Sequence, residues 1–236
     1  MNKRYIIYFL IILIIILYHY FRIREIKTLS YWKKKNEKVL NECREGLEIT
    51  YNLIKTNNKV LTSGTLLGAV RNKDIIPFDD DVDICVFGDT KEELDKILDS
   101  IIEESKKQNI ICRPSKYGLH IIYKKNLIDV FSYILKDNKY KHDTILARTM
   151  WPTHYYLKNE LETLEKGYIN GKQYNICSDS HKLLARFYGD TWKQQRISHS
   201  HSLAYDNLQF SNITLENITN LYLIKFMKIF NCNRVY

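Results

Sequence analysis

Apolar positions along this chain recur with two periods, and the changes from one to the other outline the elements. Between Trp32 and Lys55, Leu40, Cys43, Leu47, Tyr51 and Ile54 return at steps of three and four with Lys and Glu between them, which predicts an amphipathic helix. Asn57-Asn58 ends that pattern, and Val60-Leu61-Thr62 reads as a first strand. Ser63-Gly64-Thr65 is a small-residue turn, followed by a short helix from Leu66 to Arg71. Pro77 has no N–H to donate and keeps Ile76 extended, so no helix is expected to continue past it. Asp81 to Val86 then alternates and is rich in β-branched residues, as a strand does. Asp89 to Lys107 returns to the helical period, with Leu94, Ile97, Leu98, Ile101 and Ile102 on one face. Three strand-like runs follow, Ile110–Arg113, Leu119–Tyr123 and Leu127–Leu135. After Asp137-Asn138 the signal weakens. Gly167 to Tyr174 reads as a hairpin about Asn170-Gly171, and Ser178-Asp179-Ser180 opens a helix, His181 to Tyr188, closed by Gly189. Leu215 to Phe230 is apolar enough for a last packing element.

The start of the chain follows neither period. Tyr5 to Phe21 is apolar apart from His19, and about 17 residues is the short end of what spans a bilayer. Arg22-Ile23-Arg24-Glu25 offers no small-residue cleavage site, so the expectation is an uncleaved single-pass signal-anchor. Lys3 and Arg4 precede it, while Arg22, Arg24, Lys27 and Lys33-Lys34-Lys35 follow; this balance leans toward a cytosolic main domain. Two sequons, Asn212-Ile213-Thr214 and Asn217-Ile218-Thr219, would matter only in a lumen. The expected organisation is an anchor and juxtamembrane stretch over 1–30 and one folded domain over 31–236. Hydrophobic residues make up 45% of the 236, enough for one packed core. The net charge of +9 suits a diphosphate or anionic headgroups as well as nucleic acid, but no nucleic-acid motif accompanies it, so no nucleic-acid partner is expected. The five cysteines, Cys43, Cys85, Cys112, Cys177 and Cys232, include no C-x-x-C pair, which argues against zinc.

Candidate chemistry concentrates between Leu61 and Val86. On a strand, residues two apart share a face, so Asp79, Asp81 and Asp83 are expected to point one way and Asp80 the other, with Val82, Ile84 and Val86 in the core. Carboxylates held together repel unless a cation lies between them, and hard oxygen ligands suit Mg²⁺ or Mn²⁺. A solvated acidic turn is the plain alternative. A calcium loop starting at Asp79 fails, because its sixth and twelfth positions are Ile84 and Thr90 rather than Gly and Glu. Gly64 permits close approach of the backbone, and N–H groups opening a helix form an anion site; Ser63 could equally be an N-cap. Arg71 could grip a phosphate or pair with the acidic run. Asp129 stands alone among apolar neighbours in LIDVFSYIL, so it needs a partner, either a basic side chain or a metal. Met150-Trp151-Pro152-Thr153-His154 lines a pocket or fills the core, and His199 and His201 are ligands or part of a polar loop.

SGTLLGAVRNKDIIPFDDDVDI, from Ser63 to Ile84, resembles the signature of the LicD/fukutin family. Asp129-Val130-Phe131 matches the family's third carboxylate in its Asp-hydrophobic-Phe setting, and Tyr188-Gly189-Asp190-Thr191-Trp192 looks like its YG-x-x-W element. The resemblance implies an α/β (α+β) fold, a nucleotidyltransferase-like mixed sheet flanked by helices, here behind an N-terminal transmembrane helix. It also implies transfer of a phosphorylated alcohol, phosphocholine in LicD or ribitol phosphate in fukutin-related proteins, from a CDP-alcohol donor to a glycan or glycoconjugate acceptor. Asp81, Asp83 and Asp129 would be the catalytic and metal-binding set for Mg²⁺ or Mn²⁺, with Ser63, Gly64, Thr65 and Arg71 on the phosphates. Fukutin-like members imply a Golgi-type lumen and bacterial ones the cytoplasm, which leaves the side of the membrane open. Some fukutin-branch relatives carry a cysteine zinc site that has no counterpart here. Other readings of the same carboxylates are a nucleotidyltransferase of different specificity, a glycosyltransferase (disfavoured by the Gly turn) and an inactive membrane-tethered binding protein.

Overall fold

The computed structural model describes residues 5, 8–15, 36–77, 79, 81–190, 192 and 193. The first long helix, α1, spans Glu37–Leu53 and buries Leu40, Cys43, Gly46, Leu47, Thr50 and Leu53, the stripe its periodicity anticipates. Strand β1, Lys59–Leu61, leads directly into helix α2, Ser63–Arg71. The Ser-Gly-Thr segment is therefore the first turn of that helix rather than a loop ahead of it, and the N-cap position belongs to Thr62. Strand β2, Asp81–Gly88, is buried throughout after its first residue. Cys85 and Phe87 are covered as well as Val82, Ile84 and Val86, as in a central strand packed on both faces. Helix α3, Lys91–Lys107, starts at Thr90, whose side chain accepts from the Glu93 N–H, and it carries Glu92 and Glu93 in its first turn with Lys106 and Lys107 in its last.

Strands β3 (Ile111–Pro114), β4 (Gly118–Tyr123) and β5 (Asn126–Lys136) follow. Beyond them come β6 (Lys139–His142), α4 (Ile145–Met150), β7 (Tyr155–Leu157) and α5 (Lys158–Glu162), short pieces in the region where periodicity fades. The hairpin of β8 (Leu164–Ile169) and β9 (Lys172–Cys177) turns at Asn170-Gly171, both with positive φ as a two-residue hairpin turn requires. Helix α6, Ser180–Tyr188, ends at Gly189.

Among the described residues the strands form a seven-stranded mixed sheet, with β8 and β9 as a separate pair. The order β1-β2-β5-β4-β3 places β5 in the middle. Its one parallel neighbour is β2, in a register that sets Asp83 opposite Asp129 and Asp81 opposite Leu127. The other edge of β5 is shared in succession by β4, along Asn126–Phe131, and β6, along Tyr133–Lys136. Helix α1 packs on the sheet with Gly46 against Ile128 and Tyr123.

Of Tyr5–Phe21, expected to span a membrane, residue 5 and residues 8–15 are described and the rest lie outside the described residues. Residues 8–15 are helical, and among the described residues no helix is long and apolar enough to cross a bilayer. His199, His201, both sequons and the segment Leu215–Phe230 also fall outside the described residues.

Candidate metal centre

Parallel pairing of β2 with β5 brings together carboxylates that are 46 residues apart in the case of Asp83 and Asp129. One oxygen each from Asp81, Asp83 and Asp129 lies within 4.8 Å of the other two. Asp81 and Asp129 are half-buried, and Asp83 is only 8% exposed. Burial, followed by the charges of Asp81, Asp129 and Asp79, pushes the Asp83 carboxyl well above the ordinary carboxylate range; the Gly64 N–H opposes the shift. Three hard oxygen donors that repel one another at this spacing match what a Mg²⁺- or Mn²⁺-sized cation takes up, so the residues fit the ion. The loss of that mutual repulsion on binding would favour the charged form of Asp83.

The helix opening is built around the same carboxylate. The Gly64 N–H donates to Asp83 Oδ2 at 3.1 Å, and the Asp83 N–H donates to Thr65 Oγ1 at 2.8 Å. Thr62 N–H in turn donates to the Asp83 carbonyl at 3.2 Å. Thr65 is buried and spends its hydroxyl on the strand, so α2 grips β2 through its first turn. Ser63 holds φ at +47°, a left-handed conformation that costs an L-residue about 1–3 kcal/mol and tends to persist at working sites. Asp79 precedes β2 and sits in a turn, its N–H bonded to the Ile76 carbonyl at 2.9 Å. The expected strand alternation therefore begins at Asp81, although the Asp79 side chain still lies against Gly64. Asp80 is outside the described residues.

Arg71 is at the far end of α2 from Ser63, about 12 Å along the axis. It donates to Asn72 Oδ1 at 3.1 Å and to the Trp192 carbonyl at 3.2 Å. The second contact ties the YG-x-x-W element to the far end of α2: Trp192 is buried, and its ring meets that of His181 at 5.4 Å. Burial and then the charges of Asp83, Asp79 and Asp81 push the Tyr188 hydroxyl well above the ordinary phenol range, while Arg71 opposes the shift. Sequence reasoning gave the element no role.

Beside Asp129 along β5, Phe131 packs with Tyr117 and Trp151, whose rings meet at 4.9 Å; Trp151 is half-buried and forms an aromatic wall. Behind it, His142 Nε2 lies 2.9 Å from the Tyr133 hydroxyl, and the Tyr156 hydroxyl donates to Thr62 Oγ1 at 2.6 Å. Burial, with His154 and Arg148 nearby, lowers His142 to about 3, and burial lowers His154 to about 4, so both rings are neutral near pH 7. The residue that sequence reasoning missed is His120. It pairs with Asp129 in the β4–β5 register and brings Nε2 to 3.1 Å from Asp129 Oδ1.

A family profile described as "LicD/FKTN/FKRP, nucleotidyltransferase domain" matches residues 58–179, just over half of the chain and inclusive of all three carboxylates. "Uncharacterized protein RP689" of Rickettsia prowazekii (strain Madrid E) is 32% identical over 162 residues, covering 65% of this chain and 59% of that protein. "Uncharacterized protein RT0683" of Rickettsia typhi (strain ATCC VR-144 / Wilmington) is 30% identical over 125 residues, covering 49% and 38%. The chain thus spans well under two thirds of the length of these relatives. A solved structure of the antibiotic-resistance factor ANT(2'')-Ia overlaps 62% of this chain and 66% of its own at 13% identity and a TM-score of 0.34.

Proposed function

The chain belongs to the LicD/FKTN/FKRP family of nucleotidyltransferase domains, and on that footing we propose that it is a cation-dependent phosphotransferase. It moves a phosphorylated alcohol of the phosphocholine or ribitol-phosphate kind from a CDP-linked donor to a hydroxyl of a glycan or glycoconjugate. The observation that carries this reading is the convergence of Asp81, Asp83 and Asp129 from two adjacent parallel strands. Held by these three, Mg²⁺ or Mn²⁺ would neutralise charge on the donor diphosphate and help place the attacking and leaving oxygens.

The remaining work falls to the chain itself. An acceptor oxygen attacks the phosphorus that bears the alcohol, the bond from that phosphorus to the CMP oxygen breaks, and CMP leaves with the electron pair. Asp129 takes the acceptor's hydroxyl proton on its carboxylate. The first turn of α2, Ser63 to Thr65, lies against the same carboxylates, where the positive end of the helix would favour a phosphate, and Arg71 at the other end of α2 adds positive charge. Positioning and electrostatic stabilisation supply most of the rate in phosphoryl-type transfer, which is why so few groups suffice. An N-terminal anchor would hold the domain at a membrane, near lipid-linked or surface glycans.

Asp81→Asn tests the reading. The variant should fold as the unaltered chain does yet release no CMP from any of a panel of CDP-alcohols. Release at the normal rate would refute the assignment. The same carboxylates would serve a nucleotidyltransferase that moves the nucleoside monophosphate from a nucleoside triphosphate to a small acceptor, and the family description favours keeping this second reading; a nucleotidylated product and free pyrophosphate from a nucleoside triphosphate, with no CMP from the CDP-alcohols, would select it.

A further inference from the structure

His120 touches the proposed cation site without being one of its three acidic members. It lies on β4, directly across from Asp129 in the antiparallel register, and strand alternation directs Leu119 and Ile121 into the core while His120 stays on the face that carries the carboxylates. Its Nε2 atom is sealed from solvent, and Asp129 Oδ1 lies 3.1 Å away. This is a contact of ion-pair length rather than an aligned hydrogen bond, and a small swing of either group would align it. The rest of the imidazole reaches outward, with the side chain 33% exposed.

We infer that His120 is a positioning residue for Asp129: by facing one carboxylate oxygen it restricts rotation of the carboxyl group and keeps the ligand oxygen beside those of Asp81 and Asp83. The inference rests on the cation reading of the triad. Its physical basis is general, since ligating carboxylates are oriented by partners outside the ligand set, and loss of such a partner typically weakens ion binding by about 10–100-fold. Asp83 has its own orienting donor in the Gly64 N–H. His120 would do for the β5 carboxylate what the backbone does for the β2 one.

The test is Mn²⁺ binding by the full chain in mild detergent, read from the loss of the free-ion electron paramagnetic resonance signal, for the unaltered protein, Asp81→Asn, His120→Leu, His120→Asn and His120→Gln. His120→Leu and His120→Asn should weaken binding by about 10–100-fold without lowering the melting temperature of the ion-free protein, because the side chain stands at the rim. Asn is included as a polar variant whose amide is too short to reach. His120→Gln, whose longer amide can place a donor near Nε2, should recover most of the affinity. Unchanged affinity in His120→Leu and His120→Asn, with Asp81→Asn abolishing binding, would overturn the role of His120 while leaving the cation site intact. Absence of binding in the unaltered chain would overturn both.

Discussion

At the scale of single residues, Gly64 shows how closely the site is built. A methyl group placed there would meet Asp79 Oδ2 at 2.8 Å and Asp83 Oδ2 at 3.5 Å. The nearer of these atoms is the end of a half-buried side chain rather than backbone, so Gly64→Ala should fold and melt near the normal temperature. It should nevertheless displace carboxylates from the centre and cut CMP release by about 100-fold, the cost of roughly an ångström of misplacement. Full activity in a folded Gly64→Ala variant would mean that the carboxylates near Gly64 have no part in the reaction. The sequence made this residue visible because a small-residue turn stood a fixed distance ahead of a two-residue carboxylate repeat. It did not make His120 visible. The pairing of His120 with Asp129 depends on the register between two strands, and neither residue's local context encodes that register.

At the scale of elements, the long helices and the buried strands were legible because each presents one apolar face over many residues. The connecting pieces β6, α4, β7 and α5 were not: each is three to six residues long, too short for a period to repeat. What holds this region is a polar knot rather than a stripe. Glu160, 4% exposed, accepts from both terminal nitrogens of Arg186 at 3.0 and 2.7 Å and from the Leu157 N–H at 2.8 Å, while Arg186 also donates to the Tyr155 carbonyl at 2.9 Å. The knot fastens α6, which ends at Tyr188, to β7 and α5. Removing one member leaves a buried charge without its partner, so Arg186→Leu should destabilise the protein by about 3–5 kcal/mol in urea unfolding. A loss under about 1 kcal/mol would show that apolar packing of Leu183, Leu184 and Phe187 secures the helix without the pair.

At the scale of the whole molecule, one geometric fact links fold to function: β2 and β5 run parallel and adjacent, although 37 residues of helix, strand and turn separate the end of one from the start of the other. Parallel pairing requires such a crossover connection, and α3, β3 and β4 supply it. The carboxylate set was legible as two separate clues, a repeat near Asp81 and a lone Asp129 in an apolar run; only the fold sets them within 4.8 Å of one another. The most direct test is an anomalous difference map from crystals of the protein grown with Mn²⁺. A cation centre at the triad predicts one or two strong peaks, each metal roughly 2 Å from its oxygen ligands, with Asp81, Asp83 and Asp129 all contributing. A map with no peak at the triad, or with Mn²⁺ bound elsewhere while these side chains turn to solvent, would contradict it.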